Sequence, residues 1–457
     1  MSTSFSDYLN HEIHCSCGRT HLCDIDDILI EDGALARVPA LIQKGGYTDI
    51  CLVEDSNTAK AAGNALKEIL QNAGIIFHTV TLHAEGLLPD EYGIGAVLTR
   101  VPADCKLLLA VGSGTINDLC RFVSYKMNIE YFIIGTAPSM DGFTSNVAAM
   151  ITDHTKTTYE THRPKAVIGD LSVLADAPMD LIAAGVGDVI GKYVCLADWK
   201  AAHLITGEYF CSNVETLVHK SIQKVSDAVP KIGSRDKSAI AGLMEGLVLS
   251  GIAMSYIGNS RPASGSEHHL SHYWEMMFLQ HGDHGAWHGI KVGVGTVIAL
   301  KLYKLLAQAE LDFSALSAYT FEEASWTDSV FSAYGTAAPV VLSLEKKVRK
   351  NSTNEVLTRL QALETHLPKI RQIAEALPEP ETIRDMLKHL GAPYEPWQLG
   401  VDDQMFQNSI LFAKDLRNRY GLLQILYDTQ LNHSFADAIR KEIYVNEYSV
   451  TKETVPV

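Results

Sequence analysis

A change of period near residue 176 constrains the fold more than any other feature. From Arg37 to about Asp170, short apolar runs alternate with segments of helical spacing, and beyond Pro178 only helical spacing remains. The strand-like runs are YTDICLVED, IIFHTVTL, CKLLLAVGSGT and YFIIGTAPS, with NTAKAAGNALKEILQNAG and TINDLCRFVSYKM as helices among them. Strands that alternate with helices form a parallel sheet whose ligand lies at the carboxyl ends of the strands. The pattern therefore predicts an α/β domain with a mostly parallel sheet over residues 1–176, and an all-α domain over 177–457. From Asn146 through Ala166 the segments VAAMITD and TTYETHRPKAVIGD read as a β-hairpin leading out of the first domain.

Composition excludes several classes. The 457 residues carry a net charge of −16, which argues against nucleic acid or an anionic membrane as a large electrostatic partner. An anionic small molecule in a locally basic pocket stays compatible with it. The run from Ala239 to Gly258 is apolar enough to suggest a membrane span, but its central Glu245 and small residues fit a buried core helix, so no stable membrane insertion is expected. The eight cysteines are scattered, which suits a reduced compartment, and the N-terminus lacks the basic start and apolar run of a secretory signal; cytoplasm is the expected location. Cys15, Cys17, His21 and Cys23 cluster in HCSCGRTHLC, which reads as a small zinc site or, since the spacing matches none of the common zinc motifs, equally well as a short strand pair.

The chemistry concentrates elsewhere. Between Ser264 and Thr296 stand six histidines, with two carboxylates that can orient them and a closing run of glycines. His268 and His272 are four apart and share a helix face, and His288 comes from a following element. Two imidazoles from separate segments suit a borderline-soft divalent metal. GVGDVIGK at 185–192 offers a third ligand, because Asp188 lies in an apolar, glycine-rich setting and a buried carboxylate needs a partner. A metal on Asp188, His268 and His288 supplies one and leaves positions open. At the end of the third strand, Gly112-Ser113-Gly114 lets backbone amides approach a phosphate, and Glu54 and Asp55 end the first strand where a ribose hydroxyl would be bound. TAPSMDG at 136–142 ends the fourth strand in a rigid loop with two hydroxyls and a carboxylate.

Taken together, TAPSMDG, GVGD at 185–188, RPASGSEHHLSH at 261–272 and HGIKVGVGT at 288–296 resemble bacterial glycerol-1-phosphate dehydrogenases. These belong to the superfamily of dehydroquinate synthase, glycerol dehydrogenase and iron-type alcohol dehydrogenases. The motifs occur in order from about Arg37 to Thr296. The resemblance implies a nicotinamide dinucleotide-binding first domain and a metal- and substrate-binding second domain. It assigns Gly114, Thr115, Ile116, Asn117 and Asp118, then Thr136, Ala137, Pro138, Ser139 and Ser145, to NAD or NADP, beside Gly112 and Asp55. It gives Asp141, Asp188 and His272 to substrate and catalysis, and Asp188, His268 and His288 to one zinc, nickel or iron ion. Both His284 and His288 precede a glycine; His288 is chosen because its segment runs straight into the glycine-rich helix.

The activity so implied is reversible reduction of dihydroxyacetone phosphate to sn-glycerol 1-phosphate in the interdomain cleft, with His272 touching the substrate or relaying its proton and Lys192 and Arg261 as cations for the phosphate. Glu54 and Asp55 would repel a 2′-phosphate and favour NADH. The rivals are glycerol dehydrogenase or dehydroquinate synthase chemistry, or a non-catalytic dinucleotide-binding module. Oligomeric state stays open, a homodimer among the options.

Overall fold

The computed structural model describes residues 4–152 and 155–447. Near the N-terminus β1 (Ile13–His14) and β2 (Thr20–His21) form an antiparallel pair, as the Cys-rich segment suggested. The main sheet contains β3 (Asp27–Glu31), β4 (Ile50–Asp55), β5 (Phe77–Leu82), β6 (Leu107–Gly112), β7 (Glu130–Gly135) and β10 (Ala166–Asp170) in the order β3-β10-β7-β6-β4-β5, every pairing parallel. A strand covered on both faces needs an uninterrupted apolar run, and LLLAVG in β6, buried at every residue, supplies it.

Two strands depart from the sequence expectation. DILIE in β3 has charged ends and lies half-buried at the sheet edge, so its period is weak. AVIGD, expected in the second arm of a hairpin, is instead β10, buried between β3 and β7. The hairpin that exists joins β8 (Val147–Thr152) to β9 (Thr155–Glu160); Asp153, the last residue of the expected first arm, and His154 lie outside the described residues.

Helices α1 (Val38–Gly45), α2 (Asn64–Asn72), α3 (Glu91–Leu98) and α4 (Gly114–Met127) connect the strands, and α5 (Leu171–Asp176) follows β10. From β4 the chain moves to β5 at the edge, then returns past β4 to β6. The order reverses there, and the ends of β4 and β6 flank the crevice where doubly wound sheets bind ligands. One core cluster joins Leu52, Leu107, Leu109, Phe132 and Ile168 to Val38, Leu66 and Leu70 of the helices.

By compactness the chain divides into Met1–Val189 with Ser212–Ala263, and Ile190–Cys211 with Ser264–Val457, rather than once at 176/177. The first unit therefore takes most of α6 (Met179–Ile190) and the antiparallel pair α8 (Ser212–Ile232) and α9 (Lys237–Ile257). Helical spacing cannot reveal this, since an apolar stripe does not say whether it covers a sheet or another helix. Among the described residues α9 alone is long and apolar enough to cross a membrane, yet 78% of its apolar window is buried inside the protein. Glu245 at its centre is buried and bonds Lys224 of α8 at 2.6 Å. The second unit is helical and includes α7 (Lys192–Thr206), α10 (Ser266–Gln280) and α11 (His288–Gln308). A β-carbon on Gly295 would come 2.6 Å from the Glu267 carbonyl oxygen, so this glycine lets α11 press against α10.

Candidate active site

In the first unit, three segments meet at the carboxyl end of the sheet. Ser113 precedes α4 without a side-chain cap, which leaves the opening amides of that helix for a ligand. Ser113 Oγ lies 2.5 Å from Ser139 Oγ and donates to the Ala137 carbonyl at 3.1 Å, so the β6–α4 turn is fastened to the TAPSMDG loop. The Thr136 amide donates to the Gly112 carbonyl at 3.0 Å and continues the ladder. Asn117 is fully buried, and neither end of its amide has a hydrogen-bond partner among the described residues, a cost that a bound polar group would relieve. An uncapped helix start, glycine on either side of Ser113 and an orphaned amide fit a dinucleotide's phosphates.

Asp141 closes the TAPSMDG loop and is doubly anchored. Its amide donates to Asp188 Oδ2 at 2.9 Å, and its own Oδ2 accepts from Ser250 Oγ of α9 at 2.8 Å. Asp188 is buried, as its apolar surroundings implied. The contact requires α6 to lie hard against the loop, which Gly185 permits: a β-carbon there would sit 1.8 Å from the Pro138 carbonyl oxygen. Arg121, which no sequence pattern singles out, is fully buried beneath the same loop. Its guanidinium donates to Gly142 O at 2.5 Å, Val147 O at 2.8 Å, Tyr131 Oη at 2.8 Å and Asp118 Oδ1 at 3.2 Å. Burial pushes the Asp118 carboxyl up to about 6 against the pull of Arg121. Ser145 is buried just beyond, its Oγ accepting the Val147 amide at 3.0 Å.

At the end of β4 the two acids separate. Glu54 is fully buried, bonded to Lys67 at 2.8 Å and to Thr81 at 3.0 Å, and so is not presented to a ribose. Asp55 remains at the strand end, its Oδ1 accepting the Asn57 and Thr58 amides at 2.7 and 2.9 Å. Arg261 belongs to this unit and is buried, its amide donating to Asn259 Oδ1 at 2.8 Å.

In the second unit the histidine cluster assembles. The rings of His268, His272 and His288 lie 5.3–5.8 Å apart, centre to centre. His268 Nδ1 is 2.7 Å from Glu267 Oε1, and His288 Nδ1 is 2.8 Å from Glu275 Oε1, so each ring gives its Nδ1 proton to a carboxylate and keeps the Nε2 lone pair. Metal-binding imidazoles are held in this way, one nitrogen on a carboxylate that fixes the ring and the other meeting the ion. His272, Glu275 and His288 also bring ligand atoms within 4.8 Å of one another. Two imidazoles oriented in this way suit a divalent ion. His284 is exposed, and its carbonyl accepts from Lys291 Nζ at 3.4 Å. His281 is exposed and His269 is buried on α10. Lys192 is fully buried at the start of α7.

The start of α10 is held by a residue that sequence reasoning missed. Asp198 of α7 is buried and accepts from the Ser266 amide and hydroxyl, both at 2.7 Å, from the Leu422 amide at 2.9 Å and from Tyr303 Oη at 2.5 Å. A foreign carboxylate thereby caps the helix that carries His268 and His272.

Residues 29–178 match the family model described as iron-containing alcohol dehydrogenase. A protein named glycerol-1-phosphate dehydrogenase [NAD(P)+] from Geobacillus stearothermophilus is 35% identical over 431 residues, 93% of this chain and 98% of that protein. One of the same name from Halalkalibacterium halodurans is 33% identical over 416 residues, covering 90% and 95% respectively. Among solved structures, a glycerol dehydrogenase from Schizosaccharomyces pombe aligns with a TM-score of 0.59 at 14% identity, over 92% of this chain and 91% of that one, a likeness of fold. With the fold, the loop anchored on Asp141 and the histidine cluster all present, end-to-end similarity to these relatives establishes that the chain belongs to the glycerol-1-phosphate dehydrogenase [NAD(P)+] family.

Proposed function

We propose that this enzyme reversibly reduces dihydroxyacetone phosphate to sn-glycerol 1-phosphate, with NADH or NADPH, at one divalent ion held by Asp188, His268 and His288. The observation that carries the reading is the orientation of His268 and His288 by Glu267 and Glu275, in a chain similar over nine-tenths of its length to proteins named for that activity. When bound, the nicotinamide supplies the hydride and the ion supplies Lewis acidity at the ketone oxygen. An oxygen-and-two-nitrogen donor set accepts zinc, nickel or iron.

The chain's own residues supply position and proton. Gly112, Gly114, Thr115, Ile116, Asn117 and Asp118 bind the dinucleotide together with Thr136, Ala137, Pro138, Ser139 and Ser145, with Asp55 at the ribose. With Glu54 turned into the core, Asp55 alone disfavours a 2′-phosphate, which inclines the site to NADH. Asp141, steadied by Ser250, orients the substrate hydroxyls. His272 hydrogen-bonds the carbonyl side of the substrate and delivers its proton. The buried cations Lys192 and Arg261 balance the phosphate. The location we assign is the cytoplasm.

Steady-state assays with dihydroxyacetone phosphate, glycerol and a heptulosonate phosphate, run in parallel, test the reading. Turnover confined to dihydroxyacetone phosphate is expected. Equal turnover of glycerol would remove the need for Lys192 and Arg261, and phosphate release from the heptulosonate would replace the proposal with a cyclisation.

A further inference from the structure

The N-terminal Cys-rich segment is unused by the reaction, and its geometry is hard to explain by packing. Residues 11–20 are exposed or half-buried, and β1 and β2 have two residues each, so apolar burial does not hold the pair together. Yet the ligand atoms of Cys15, Cys17 and His21 lie within 4.8 Å of one another, with Cys17 Sγ 3.5 Å from His21 Nε2. Sulfur and nitrogen donors at about 2.3 and 2.0 Å from one tetrahedral zinc ion are themselves roughly 3.5 Å apart.

The surroundings are those of a ligand set. His21 is buried, stacked on Tyr256 at 5.3 Å, and its Nδ1 lies 3.0 Å from the Tyr256 carbonyl. A carbonyl only accepts, so Nδ1 carries the proton and the Nε2 lone pair faces the sulfurs. Gly18, at φ +83°, closes a turn in which its amide donates to the Cys15 carbonyl at 3.0 Å, with the Cys15 amide donating to Arg19 O at 3.1 Å. Asn213 Nδ2 of α8 donates to Cys15 Sγ at 3.1 Å, a contact that stabilises a thiolate. Two residues before Asn213 in the chain stands Cys211, peptide-bonded to the first residue of α8. Cys23, which shares the motif, sits apart in the core, where burial pushes its thiol up to about 11.

We propose that Cys15, Cys17 and His21, with Cys211 as the fourth ligand, bind a structural zinc ion separate from the catalytic metal. Three sulfurs and one imidazole select zinc over harder ions, and binding releases the thiol protons to solvent. The ion would fasten β1 and β2 to the start of α8, doing for this exposed segment what apolar packing cannot.

The test separates this ion from the catalytic one. The full chain carrying His268→Ala, purified with zinc, is expected to retain about one zinc per chain, with X-ray absorption showing three sulfurs at about 2.3 Å and one nitrogen. Cys17→Ser or His21→Ala in that background should abolish the zinc and lower the melting temperature, and Cys211→Ser should reduce the sulfur count by one. Should the cysteine variants fail to fold, the wild-type chain grown with cobalt(II) must show a thiolate-to-cobalt charge-transfer band. A His268→Ala protein without zinc, or metal lacking sulfur neighbours, overturns the proposal; an unchanged sulfur count in Cys211→Ser overturns the fourth ligand.

Discussion

Replacing Gly185 with alanine sets two opposing effects against each other at one residue. Gly185 lies inside α6, where alanine should stabilise the helix by about 0.5–1 kcal/mol. Against that, the new β-carbon would stand 1.8 Å from the Pro138 carbonyl oxygen and 2.9 Å from its carbon, backbone atoms that cannot rotate away. Relieving such an overlap costs about 1–3 kcal/mol. Separating α6 from the loop also stretches the 2.9 Å bond from the Asp141 amide to Asp188, a hydrogen bond to a charged group worth about 1.5–3 kcal/mol. The clash wins, and Gly185→Ala should be less stable by about 2–5 kcal/mol. It should also lose activity, since a shift of about 1 Å at a positioning loop can cost a hundredfold in kcat/KM. Urea unfolding and steady-state kinetics measure both. A variant as stable as wild type, or more so, with unchanged kcat/KM would refute the argument that this glycine exists for close approach.

Three further outcomes are expected. Asp198→Ala leaves the buried Ser266 and Leu422 amides without their acceptor and should destabilise the protein by at least about 3 kcal/mol in chemical denaturation. Glu275→Gln weakens the partner that orients His288 and should lower metal affinity by about 10- to 100-fold in a chelator competition, with the fold retained. The Asp118 carboxyl, raised from 3.8 to about 6, binds its proton more tightly in the folded chain than in the unfolded one. Its stabilising contribution is therefore complete below pH 4 and lost as pH rises through 6, about 3 kcal/mol in all. Asp118→Asn should remove that loss, seen as a flatter melting temperature between pH 4 and 7.

What the sequence made legible depended on where the determining contact lay. Local period was enough for β6, whose LLLAVG run could be little else, and chain spacing was enough to put His268 and His272 on one helix face. It failed for β3, whose charged ends mask a strand that gains its partner from β10, far along the chain. Nor does it show which compact unit α8 and α9 belong to, because they have helical spacing whichever unit they pack in. Arg121 and Asp198 were invisible for a related reason: each looks like an ordinary charged residue on a helix, and only long-range contacts to Gly142, Val147 and Leu422 show them as anchors. Asp188 could be singled out, because a lone acid among glycines and valines already signals a buried charge.

The most direct test of the central claim is NADH consumption with dihydroxyacetone phosphate, measured before metal removal, after it, and after restoring zinc, nickel or iron singly, with the chirality of the product determined. The account predicts sn-glycerol 1-phosphate, activity lost on chelation, recovery with at least one of the three ions, and no recovery in His268→Ala or His288→Ala. Undiminished turnover by metal-depleted protein, or by either histidine variant, would contradict it.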